Sequence, residues 1–448
     1  MPRMLAVLRN RTYRHLFGAH VVALTGTGLA TVALGLLAYD LAGADAGAVL
    51  GTALALKMVA YVSVAPIAAA LLGALPRRAV LVTLDLVRAG VAVMLPWVDQ
   101  VWQIYVLIFL LQAASAAFTP IFQATIPDVL PDEREYTRAV TLSRMAYDLE
   151  GLLSPSLAAA LLVLMSFNNL FLGTAIGFAA SALLVVSAVV PRPEPVSRNE
   201  SLYAATTRGI RIYLATPRLR GLLAVHLAAA SAGSMVLVNT VAYVRDVLGR
   251  SASDVAVALA FNGIGSLVAA LVLPKLLDRV TDRALVLRAC VALVVLLLTG
   301  STFASLPAGS HWPALLVLWA LIGAGCSFAL TPGARLLRRS TGSCDRPALF
   351  GGDFALSHAC WLLSYPLAGW VASVANTTTA FLVLGGVTAV AALVAWRLWP
   401  THDPDVIEHE HRDLEPGHDH LHDAVPAGGA WRHAHTFRID DHHERWPR

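Results

Sequence analysis

Charge is scarce in this chain: 14% of its 448 residues are Asp, Glu, Lys or Arg, against 57% hydrophobic. An ordinary soluble domain carries about 25% charged residues, so the composition excludes that class and makes the chain an integral membrane protein. Cysteine is also scarce. Cys290, Cys326, Cys344 and Cys360 fall in expected spans or a loop, and no disulfide framework is implied. Cys326 and Cys360 read as small packing residues ahead of soft metal ligands. A P-loop, an HExxH and a GxSxG in a suitable context are all missing. No enzyme is expected, and any work has to be driven by a gradient.

What is present is a series of apolar windows from Leu16 almost to Trp399, each near the roughly 20 residues that cross about 30 Å of hydrocarbon as a helix. They are too long for barrel strands, and helices satisfy their backbone groups internally. Twelve spans are expected, centred near residues 28, 60, 89, 113, 154, 179, 231, 265, 294, 325, 362 and 388. The first follows Arg3, Arg9, Arg11 and Arg14; it is too long for a signal-peptide core and is expected to remain as a membrane helix. With the N-terminus inside, that side collects Arg77, Arg78, Arg134, Arg138, the 191–220 segment, Lys275 to Arg283 and Arg335 to Arg346. Little beyond Arg245 and Arg250 falls outside, an asymmetry that predicts both termini in the cytoplasm.

The organisation read from this is a six-helix half (1–190), a basic linker (191–218), a second six-helix half (219–399) and a tail (400–448). In the linker, Tyr203 to Leu214 reads either as an interfacial helix, with Arg208 and Arg211 toward headgroups and Ile210, Ile212 and Leu214 partly buried, or as a solvated connection. Two related halves place a binding site at their interface near the midplane. A weak internal echo supports relatedness: Ser154-Pro155-Ser156-Leu157 in span five and Ser364-Tyr365-Pro366-Leu367 in span eleven, at an offset that sets Asp148 opposite His358.

Further motifs carry a resemblance: Asn10-Arg11-Thr12-Tyr13-Arg14-His15 entering span one, Tyr39-Asp40 ending it, Pro76-Arg77-Arg78 in the second-to-third loop, and Leu84-Asp85 with Arg88-Ala89 in span three. With the twelve-span layout, residues 8 to 400 resemble the major facilitator superfamily, in particular its proton-coupled drug and metal exporters. The resemblance implies an all-α fold of two six-helix halves, transport by alternating access, and span two lying beside span eleven. One departure is that the second-to-third loop lacks the family's Asp; Asp278-Arg279 in the second half is expected to supply part of that gating pair.

The polar residues inside the spans need reasons, because ionisable groups in hydrocarbon are costly and face a bundle interior, a partner or a water path. Arg144 and Asp148 are spaced to pair on one helix face, either as a structural salt bridge or as a proton site. Glu150 is turned about 160° from Asp148, so the two carboxylates do not share a wall. Asp85 and Arg88 read as a packing and gating pair. Lys57 is too deep to snorkel and needs a receiver; the expected neighbourhood of span eleven offers His358 and Asp353. Gln112, Ser115, Thr119 and Gln123 form one stripe on span four, while His226, Asn239 and Asn262 are further candidates for the cavity wall or for interhelical bonds.

After Pro400 the composition changes. Residues 401–448 hold ten of the 15 histidines and eleven acids against five arginines, a composition that predicts no fixed structure without a ligand. His409, His411, His418, His420, His422, His433, His435, His442 and His443 stand among Asp and Glu, a mixture that suits nickel, cobalt or zinc. Their irregular spacing argues against a closed structural zinc site and for a labile divalent collector; pH sensing through imidazole and a solvated tail are the other readings. The tail's composition resembles that of nickel-resistance exporters in the same superfamily.

The expected function is therefore efflux across the inner membrane, divalent metal exchanged for protons, with export of a drug, siderophore or lipid-like molecule as the alternative. A metal sensor whose bundle only displays the tail would leave Lys57, Asp148 and Glu150 as needless costs. No resident cofactor beyond a labile metal on the tail and no nucleic acid is expected; the partners are the bilayer, the substrate and protons, and the chain is expected to be a monomer.

Overall fold

The computed structural model describes residues 6–42, 46–73, 75–191, 201–250, 252–303, 310–411, 418–428, 430–440, 442–443 and 445–447. Six long helices come first: α1 (Arg11–Ala42), α2 (Ala46–Leu72), α3 (Arg77–Met94), α4 (Val101–Val129), α5 (Glu133–Leu162) and α6 (Phe167–Val186). After the linker helix α7 (Leu202–Ala215) come α8 (Pro217–Ala242), α9 (Ala252–Leu277), α10 (Asp282–Gly300) and α11 (His311–Leu330). The short α12 (Gly333–Arg339), then α13 (Arg346–Val374) and α14 (Thr377–Leu398), complete the bundle. Among the described residues, ten helices are long and apolar enough to cross a membrane. The other two of the expected twelve are α5 and α13, 30 and 29 residues long but more polar. They carry the sequence echo, and they occupy matching places: α5 packs on α9, and α13 packs on α2, each across the interface between halves.

Local chemistry starts the helices where they begin. Asp132 accepts the Glu135 amide at 2.9 Å at the head of α5, and Asn376 accepts the Thr379 amide at 2.8 Å at the head of α14, each satisfying a donor the first turn leaves open. The outward faces are apolar, as Leu86, Ile176, Leu183 and Leu363 show. The helices approach through small residues where side chains would not fit. A Cβ on Gly28 of α1 would run into Ser154 and Glu150 of α5, so that glycine seats the polar helix against its neighbour.

The linker helix packs one face on the second half, with Gly209, Ile212 and Tyr213 buried, while Leu202, Tyr203, Arg211 and Leu214 stay exposed. Gly209 lies so close to the Ala348 carbonyl of α13 that a Cβ would overlap it; Arg208 donates to Asp345 at 2.7 Å, and Ile212 and Tyr213 are buried in the second half's core. Arg208 faces a carboxylate, not headgroups.

The tail also departs from expectation. Its described residues form a three-stranded antiparallel sheet in the order β1 (Val406–His411), β3 (Ala430–Thr436), β2 (Val425–Ala427). Composition alone does not disclose the docking surface. Phe437 and Ile439 join the core cluster of Tyr213, Leu222, Leu336 and Trp399, and Arg218, only 1% exposed, pairs with Asp403 at 3.2 Å and Asp405 at 3.6 Å. Burial against the bundle supplies the apolar area the tail lacks by itself.

Candidate functional site

On the face that carries the tail, the two halves are tied together. Asp128, at the end of α4, is paired with Arg77 of its own half and with Arg346 of the other. Arg335 reaches Glu133 at 2.5 Å, Tyr136 donates its hydroxyl to the Ala334 carbonyl at 3.1 Å, and Arg338 donates to the Pro131 carbonyl. The carboxylate missing from the second-to-third loop thus comes from α4. In the second half the corresponding acid is Asp282, 3.5 Å from Arg335 and 3.9 Å from Arg339, in place of the expected Asp278.

Above this closed face lies a cavity of about 500 Å³ between the halves. Lys57 of α2 lines it with Glu150 of α5, and Asp353 and His358 of α13. The Lys57 ammonium stands 5.5 Å from the Tyr61 ring centre, and Tyr61 meets His358 edge-on at 4.8 Å, so the expected neighbourhood of spans two and eleven is present. His358 Nδ1 lies 2.7 Å from the Phe354 carbonyl. A carbonyl only accepts, so Nδ1 carries the proton and Nε2 is left to bond elsewhere. His226 of α8 faces Asp353 at 3.1 Å, joining two candidates on different helices. Both line a smaller adjoining cavity of about 220 Å³ that runs toward the closed face.

Arg144 lines both cavities and donates to Ser266 of α9 at 3.2 Å, across the interface. The side chain of its expected partner, Asp148, lies outside the described residues. Asp85 and Arg88 form a buried ion pair within the first half. Ser181 donates to the free carboxylate oxygen of Asp85 at 2.7 Å, and the guanidinium sits between the Phe118 and Phe178 rings at 4.1 and 4.5 Å, a stacked and hydrogen-bonded cation.

Three members of the α4 stripe, Ser115, Thr119 and Gln123, line the cavity. Gln112 instead accepts from the Tyr61 hydroxyl at 3.0 Å. Asn239 and Asn262 lie off both cavities: their amides donate to the Ala368 carbonyl at 3.3 Å and the Trp319 carbonyl at 3.0 Å. They are interhelical bonds, because a buried amide with a carbonyl in reach has no need of a water path. Not expected from the sequence are His20, which lines both cavities while stacked on Phe122 at 5.1 Å, Tyr147, which also lines both, and Trp361 of the opposite half, which lines the larger one. The available signal was a lone imidazole within an apolar span; the aromatic residues had none.

In the tail, folding gathers the histidines. His409 and His433 are cross-strand partners, and the Nε2 atoms of His411, His433 and His443 lie 3.1, 3.2 and 2.9 Å from that of His409. His420 Nε2 lies 3.2 Å from that of His443, and His435 joins a four-histidine group with donor atoms within 4.8 Å of one another. His442 stacks on His420 at 5.0 Å and meets His418 at 5.0 Å, while His422 points outward beside Asp423. Desolvation, reinforced by neighbouring imidazoles, pushes His409 down to about 4 and His420 down to about 3, which keeps both rings neutral at ordinary pH.

The fold is a known one. The human organic anion transporter MFSD10 (TETRAN) superposes with a TM-score of 0.71 at 14% identity, over 86% of this chain and 99% of that one. A bacterial homologue of the iron transporter ferroportin in its outward-facing state does so with a TM-score of 0.73 at 14% identity, over 86% and 99%. Its form with soaked iron gives 0.70 at 14%, over 87% and 99%. These likenesses are of fold. No curated protein matches in sequence. The sequence model of the Major Facilitator Superfamily matches residues 16–307 and 223–436, and this chain, a transporter and not an enzyme, belongs to that superfamily.

Proposed function

We propose that the chain is an efflux transporter of the inner (plasma) membrane that exchanges a divalent transition-metal cation, nickel or cobalt in kind, for protons, with both termini cytoplasmic. The observation that carries this reading is the gathering of imidazole donors on the same face as the closed gate. A cation held there is next to the mouth through which it would enter when the gate opens. Inside, Glu150 on one half and the His226–Asp353 pair on the other, 3.1 Å apart, give the two adjoining cavities one acid per half and an imidazole beside one of them. Binding of the cation to those groups displaces their protons, and reprotonation from the outside releases it. Alternating access is then the rocking of one half on the other about this site.

A second reading has its own support. The cavity of about 500 Å³ is larger than a bare ion needs, and Lys57 and Arg144 stand on its wall with Tyr61, Tyr147 and Trp361. That lining suits an organic substrate bearing an anionic group, such as a siderophore, with the tail regulatory. The discriminating experiment loads everted vesicles with a pH indicator and adds nickel. Nickel-dependent proton flux, lost in Glu150→Gln and Asp353→Asn, supports the first reading. Intact protein with no such flux sinks it.

A further inference from the structure

We infer that six tail histidines form one preorganised octahedral site for a six-coordinate divalent first-row ion of the nickel, cobalt or ferrous kind. This deepens the metal reading above, and it makes the tail a single defined site in place of a labile collector. The six are His409, His411, His420, His433, His435 and His443.

The arrangement of the rings carries the inference. Each ring has one opposite number: His409 stands across from His420, His411 from His435, and His433 from His443. All remaining pairs are neighbours, with ring centroids 4.7 to 5.2 Å apart. Six points in three opposed pairs, with every other pair adjacent, are the vertices of an octahedron. The donor spacing agrees. A metal–imidazole bond of about 2.1 Å separates adjacent nitrogens by about 3.0 Å in an octahedron and about 3.4 Å in a tetrahedron. Four of the twelve neighbouring Nε2 separations, those of His409 with His411, His433 and His443 and of His420 with His443, are 3.1, 3.2, 2.9 and 3.2 Å. The opposed His409 and His420 donors are also within 4.8 Å, as the diagonal of the same figure requires.

The protons are arranged for a cation as well. His409 Nδ1 lies 3.0 Å from the Ile407 carbonyl, His435 Nδ1 2.9 Å from the Thr436 carbonyl, and His443 Nδ1 2.8 Å from the Asp440 carboxylate. Each acceptor takes the ring's proton on Nδ1 and leaves Nε2 as a bare lone pair aimed inward, the outer support that metal-binding histidines usually have. The Nε2 atoms of His409 and His443 therefore face each other at 2.9 Å with no proton between them when both rings are neutral. Among the described residues, His435 Nε2 is buried without a hydrogen-bond partner. A cation at the centre resolves both. Six neutral nitrogen donors are too soft for magnesium or calcium, zinc favours four ligands, and copper(II) favours a tetragonal set.

The test uses the full chain in detergent, titrated with cobalt(II) alone and followed by absorbance, with bound metal counted after gel filtration. One ion per chain with the weak visible bands of six-coordinate cobalt is expected. His435→Ala and the outer-support variant Asp440→Asn should each lower affinity by about tenfold or more, and His422→Ala should leave it unchanged. Several ions per chain, intense tetrahedral bands, or equal losses in His422→Ala and His435→Ala would overturn the site. Six-coordinate binding without nickel flux upholds the site and removes the transport reading; flux with tetrahedral binding does the reverse.

Discussion

Replacing Asp128 with Asn should open the tail face. This carboxylate lies between Arg77 and Arg346, whose side chains are 2% and 14% exposed. Arg77 belongs to the same half, so that pair travels with the half and contributes little to the difference between open and closed states. Arg346 belongs to the other half, and its bond exists only when this face is shut. A hydrogen bond to a charged group contributes about 1.5–3 kcal/mol net, and about 1.4 kcal/mol is a factor of ten. The substitution should therefore move the closed-to-open ratio roughly 10- to 100-fold toward open. Repulsion between the two guanidiniums acts in the same direction. Spin labels at the exposed positions Arg78 and Arg220, one on each half, would read this as a longer component in the distance distribution. An unchanged distribution in well-folded Asp128→Asn would refute the claim that this bridge holds the face closed.

Other expectations are simpler. Arg218→Ala removes the buried cation that holds Asp403 and Asp405 and should release the tail, seen as faster proteolysis between α14 and β1 with the bundle intact. Gly209→Leu places a side chain where Ala348 already sits; overpacking of this kind costs about 1–3 kcal/mol, and thermal unfolding in detergent should fall accordingly. Asn239→Leu should lower stability by about 0.6–1.7 kcal/mol through the lost interhelical bond without altering substrate preference, and a changed substrate profile would return Asn239 to the pathway.

The twelve spans, their grouping into halves, and the special standing of α5 and α13 follow from sequence alone, because hydrocarbon thickness sets helix length and every polar group within that length is a local exception. Lys57, Glu150, Asp353 and His358 were legible as site candidates for the same reason. Their convergence on one cavity, and the pairing of His226 with Asp353, belong to tertiary structure: the helices involved are far apart in the chain, and one sequence does not specify how neighbours turn toward each other. Asn239 and Asn262 show the limit from the other side, since a polar residue in a span looks the same whether it meets water or a neighbour's carbonyl. The tail shows it most clearly. Composition marks the histidines as candidate donors, but their irregular spacing conceals the cluster they form. Cross-strand register and docking on Arg218 bring His409, His433 and His443 together, and only that folding decides between scattered imidazoles and one compact cluster.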